Sequence, residues 1–121
     1  MEEPNVAGVF GIALDVFENA LANQVSVHWD GSIVNQFDVN PNDINLTSGG
    51  FHHLHLELTQ DPGGLGMLLD LIFTADIFGV PGLPVTVVDD LLIPGMNLYD
   101  YRVEFAARTG GLDMDLSLIH I

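Results

Sequence analysis

Val25-Ser26-Val27-His28-Trp29-Asp30-Gly31-Ser32 places apolar side chains at every second position and then turns. In an extended chain, successive side chains leave opposite faces, so Val25, Val27 and Trp29 share one face and Ser26, His28 and Asp30 the other. Asp30-Gly31 is a two-residue hairpin signal, because Gly and Asp tolerate the positive φ that a tight β-turn demands. It predicts a hairpin into a strand from Ser32 to Val39.

The same two-residue period recurs on either side. Leu54, Leu56 and Leu58 alternate with His53, His55 and Glu57, and the run enters Asp61-Pro62-Gly63-Gly64, a cluster of turn formers. A second hairpin is expected, with Gly66 to Thr74 as its return strand. Val9 to Phe17, Val85 to Ile93, Tyr99 to Ala107 and Leu116 to Ile121 read as further strands, about eight in all. No segment keeps a helical period for three turns. The expectation is an all-β antiparallel sandwich with Leu14, Val25, Val27, Trp29, Leu54, Leu56, Leu58, Val103 and Phe105 in its core.

The 121 residues suit a single domain, and nothing between 1 and 121 reads as a linker, repeat or low-complexity tract. An apolar fraction of 48% is too high for disorder, and no apolar run is long enough for a membrane helix. Seventeen acidic residues face only Arg102 and Arg108, giving a formal charge of -15. Nucleic acid is excluded as a partner on that ground, and anionic membranes are disfavoured, because both require clustered cations. Met1-Glu2-Glu3-Pro4 does not begin the basic, apolar and small-residue series of a secretory leader, and the compartment stays open. Absence of cysteine removes disulfides and thiol chemistry.

Asp76-Ile77-Phe78-Gly79-Val80-Pro81-Gly82-Leu83-Pro84 combines turn residues with bulky apolar ones. Ile77, Phe78, Val80 and Leu83 either tuck under the sandwich or form an exposed patch that meets a partner. His53, His55 and Glu57 form a row that a metal could use with His28 from a neighbouring strand, or simply a polar outer face. Asp38, Asn40, Asn42 and Asn45 alternate like the oxygens of a calcium loop, but Asp43 stands where glycine is needed and no glutamate closes the loop. A turn is the better reading. Paired catalytic carboxylates, a nucleophile elbow and a phosphate loop are all missing, so the expected role is non-catalytic.

Three blocks in order resemble the concanavalin A-like fold, especially L-type lectins. Gly11-Ile12-Ala13-Leu14-Asp15-Val16-Phe17-Glu18-Asn19, followed by Asn23-Gln24-Val25-Ser26-Val27, is similar to the family's A-V-E-F-D-T-F-x-N strand and its N-H-I-G-I partner. Val87-Val88-Asp89-Asp90-Leu91-Leu92-Ile93-Pro94-Gly95 is similar to the strand and turn before the penultimate strand. Arg102-Val103-Glu104-Phe105-Ala106-Ala107-Arg108-Thr109-Gly110-Gly111 resembles V-R-V-G-F-S-A-S-T-G, with Leu116 to Ile121 in the place of the last strand. The likeness covers about the later half of a legume-type lectin.

This resemblance implies a jelly roll that binds glycan or another polyhydroxylated ligand. It points to Asp15, Asn19, Arg108 and Asp113 as ligand-binding candidates. It also implies a calcium site at Asp15 and Asn19, while Ala13 and Gln24 replace the family's glutamate and histidine and remove the transition-metal site. Front strands missing relative to that family would leave edges unpaired, so a homo-oligomer is expected. The alternative is an assembly protein with no small-molecule ligand.

Overall fold

The computed structural model describes residues 7–15, 23–46, 51–77 and 79–97 and, as backbone only, 104–108 and 116–120. The side chain of Ile77 is not described. Eight strands and no helix occupy these residues: β1 (Phe10–Asp15), β2 (Gln24–Trp29), β3 (Ser32–Asp38), β4 (His53–Gln60), β5 (Gly66–Ile77), β6 (Val80–Pro94), β7 (Glu104–Arg108) and β8 (Leu116–His120). Strands β1, β2 and β3 form one antiparallel sheet in that order, and β4, β5 and β6 form a second. β7 and β8 pair as a two-stranded ribbon.

The β2–β3 turn follows from its residues. Asp30 and Gly31 both have positive φ, 50° and 83°, the geometry in which a two-residue turn matches the natural twist of its strands. Trp29 faces Ser32 across its mouth. Gly8 N–H donates to the Asp30 carboxylate at 2.7 Å, and Asp30 N–H donates to the Val9 carbonyl at 3.1 Å, tying the turn to the start of β1. At the other hairpin, Asp61 organises the bend: its carbonyl accepts from Gly64 N–H and its carboxylate from Leu65 N–H. Gly66 then starts β5 where any Cβ would sit 2.0 Å from the Ile93 carbonyl oxygen, so only glycine lets β5 and β6 approach there.

One apolar cluster joins the two three-stranded sheets. Val25 and Val27 of β2 belong to it, as do Met67, Leu69, Leu71, Phe73 and Ala75 of β5 and Val88 and Ile93 of β6. Full burial of a Leu or Val contributes roughly 1.5–3 kcal/mol each, and Val25, Val27, Leu69 and Leu71 are all at 0% exposure. Three expected core residues differ. Leu14, Leu54 and Leu56 stay 44%, 38% and 40% exposed, because β1 and β4 end the hydrogen-bonded order of their sheets. Val103 lies outside the described residues and Phe105 is described as backbone only.

β6 is longer than its partner. It spends 15 residues against 12 in β5, and the three extra residues are absorbed by register shifts near Leu69/Leu71, Leu71/Ile72 and Thr74/Asp76. Such bulges bend a strand and re-aim its side chains. The described residues of 76–84, a stretch rich in turn formers, continue this hairpin: Asp76 pairs with Pro81 and Ile77 with Val80.

Candidate functional site

The site begins with Asn23, just before β2. Its side-chain Nδ2 donates to the carbonyls of Val39 and Ile44 at 2.8 and 2.7 Å, and its Oδ1 accepts from Leu46 N–H at 2.9 Å. One amide thereby fixes both ends of the segment after β3. Ile44 plugs that segment into the core at 1% exposure, while Asn40 shapes its tip by accepting Asn42 N–H on its side chain and Asp43 and Ile44 N–H on its carbonyl. The alternating oxygens of 38–45 therefore build a turn, as their spacing without a glycine suggested.

This braced turn forms one wall of an open cleft of about 430 Å³. Gln36, Phe37, Asp38, Val39, Asn40 and Asp43 line it from β3 and the turn, and Val85, Thr86 and Val87 line it from β6. Gln36, Asp38, Asn40, Asp43 and Thr86 are exposed, whereas Phe37, Val85 and Val87 are half-buried against the core. Polar groups thus rim an apolar floor. Gln24 Nε2 donates to Asp38 Oδ1 at 3.1 Å, which orients that carboxylate. Two carboxylates on a chain of charge -15 repel anions, leaving neutral polar molecules and cations as suitable occupants.

Among the described residues, Asp70, Asp89 and Asp90 are the group whose ligand atoms could surround one ion, all within 4.8 Å of one another. They meet because the first β6 bulge inserts Asp89 and Asp90 opposite Asp70, with Asp90 at φ 49°. Asp70 Oδ1 accepts Asp90 N–H at 2.7 Å, so that carboxylate already secures the bulge. Hard oxygen ligands of this kind match calcium in type, but one oxygen from each of three carboxylates is fewer than its usual 6–8.

Asp15, one of the ligand-binding and calcium candidates, ends β1 opposite Gln24, and Gln24 in turn faces Asp38. It therefore lies in the same cross-strand row as a cleft carboxylate, two strands away. Asn19 and Asp113 lie outside the described residues, and Arg108 is described only as a β7 backbone position opposite Leu116. Of the interface candidates, Val80 and Leu83 are 64% and 86% exposed at the β5–β6 hairpin tip. Ile77 is described by its backbone alone, and Phe78 falls outside the described residues.

The histidine row does not gather around His28. His53 and His55 lie exposed on β4, with His55 Nε2 3.5 Å from Glu57 Oε2. His28 is in the other sheet, fully buried, and its Nε2 shares a 2.7 Å hydrogen bond with Ser26 Oγ. His52, at the margin of β4, accepts Asp76 N–H on Nδ1 and donates from Nε2 to the Asn45 carbonyl. It is a clamp between β5 and the cleft-forming segment.

Neither a family model, nor a curated protein, nor a solved structure matches this chain.

Proposed function

We propose that the chain is a non-catalytic, lectin-like module that binds a neutral polyhydroxylated ligand, such as a glycan, in the cleft between β3 and β6. The lining of that cleft carries the proposal. A sugar offers hydroxyl groups around its edge and an apolar C–H face; Gln36, Asp38, Asn40, Asp43 and Thr86 supply acceptors and donors for the first, and Phe37 with Val85 and Val87 an apolar surface for the second. The two-sheet architecture suits a sandwich of the concanavalin A type, and the three sequence blocks that resemble L-type lectins support the same reading. The cleft would do this work with residues other than those the resemblance points to.

A glycan array probed in calcium and again in chelator tests it. Binding that falls at least about tenfold in Asp43→Ala and in Thr86→Val, two exposed positions, is expected. Silence on the array under both conditions sinks the proposal.

A second reading, an assembly protein without a small ligand, is favoured by the exposure of Val80 and Leu83 on the hairpin tip. It predicts that Leu83→Ser abolishes self-association or partner capture while leaving the array unchanged.

A further inference from the structure

We infer that β4 is a pairing edge for a second copy of this chain, which docks antiparallel about a two-fold axis at Leu56 and merges two three-stranded sheets into one of six. Seven of the eight β4 residues are exposed, and no described strand pairs with its outer side. Sheet edges normally carry devices that block such pairing. β6, the other edge of the same sheet, has them: three bulges, the acidic Asp89 and Asp90, and Pro81, Pro84 and Pro94, which lack the N–H a ladder needs. β4 has none. It pairs with β5 over eight consecutive residues without a register shift and contains no proline, glycine or lysine.

Charge and side-chain pattern identify the occupant. A chain with a net charge of -15 repels its own copies over most of its surface. β4 carries a single carboxylate, Glu57, between His55 and a polar end. Pairing must keep the face that holds Leu54, Leu56 and Leu58 together, since a one-residue slip sets leucine against histidine or glutamate. With Leu56 opposite Leu56 of the second copy, Leu54 meets Leu58 and His55 meets Glu57 in both directions. All six leucines are then matched, and each carboxylate faces an imidazole. Centring on Glu57 sets two carboxylates against each other, and centring on His55 leaves Leu58 facing His52. The half-exposed Leu54 and Leu56, anomalous for one copy alone, become flanked on both sides.

The chain has no cysteine, so introduced thiols report the register directly. Antiparallel partners place their Cα atoms about 4.5–5.5 Å apart, within disulfide reach. Light scattering of the unmodified chain at tens of micromolar is expected to give twice its 13.1 kDa mass. Under mild oxidation, Leu56→Cys should form a covalent dimer by itself, while Leu54→Cys and Leu58→Cys should cross-link only when mixed with each other. Leu56→Lys should lose the dimer with an unchanged near-ultraviolet signal from Trp29. Should Leu56→Lys fail to fold, Glu57→Lys on the solvent face should weaken the dimer about tenfold, and His55→Glu added to it should restore most of that loss. A monomer at these concentrations, a dimer that survives Leu56→Lys folded, or cross-linking without positional preference overturns the inference. A monomer that instead captures a foreign extended peptide along β4 also overturns it.

Discussion

The two central strands, β2 and β5, solve burial differently. β5 buries one face only: Met67, Leu69, Leu71, Phe73 and Ala75 are inside, while Leu68, Asp70, Ile72, Thr74 and Asp76 are half-buried between them. β2 buries four residues in a row, Val25 to His28, so both of its faces are covered and two polar side chains are inside. The Ser26–His28 hydrogen bond makes that tolerable, because a buried polar group without a partner costs far more than a paired one. Opposite them on β1 stand Ala13 and Gly11, residues small enough to leave the imidazole room. A two-residue period thus tells which side chains travel together, but not how many faces are covered.

Truncation in the shared core should give the largest effect. Leu71→Ala on β5 is expected to cost about 2–5 kcal/mol by urea unfolding, whereas Leu56→Ala, on the same face one strand outward, should cost well under half of that in the monomer. Equal costs would mean that the edge is as enclosed as the centre. Next comes the second face of β2: Ser26→Ala should cost about 1–3 kcal/mol by removing the buried 2.7 Å hydrogen bond to His28 Nε2. Its counterpart on the open face of β5, Thr74→Ala, should stay within about 0.5 kcal/mol. If the two match, the covering of β2 contributes nothing.

Gly31→Ala should cost about 1 kcal/mol, since φ 83° disfavours a Cβ, and it should do so without altering the β5 side of the molecule, as amide exchange would show. The smallest effect belongs to the bulge. Asp89→Asn removes one of three clustered like charges and should raise the melting temperature by a few degrees at most in low salt. That gain should fade in high salt, where the Debye length shortens to a few ångströms.

Much of this architecture was legible beforehand, for identifiable reasons. The β2–β3 hairpin follows from Asp30-Gly31 between alternating runs, and the β4–β5 hairpin from Asp61 to Gly64, since both are local signals. The strands flanking 78–79 were less legible: Pro81, Gly82 and Pro84 read as loop, yet bulged pairing accommodates them on an edge. The candidate site was only half visible. Asp38, Asn40 and Asp43 were noticeable as an oxygen-rich stretch, but their opposite wall, Val85 to Val87, is brought to them only by the meeting of β3 with β6. Asp70 and Asp89-Asp90 are likewise distant in sequence, although two adjacent carboxylates inside an apolar strand are themselves a bulge signal. Exposure of Leu14, Leu54 and Leu56 was hidden because the order of strands, not their pattern, decides which of them stand at an edge.

Asn23 has a chemical consequence for the lifetime of the protein. Deamidation of its side chain would replace a nitrogen that donates to two carbonyls with an oxygen that can donate to neither, turning both attractions into repulsions. A single spontaneous hydrolysis at this position would release the segment carrying Asn40 and Asp43. Aged samples should therefore lose the cleft well before they lose the fold.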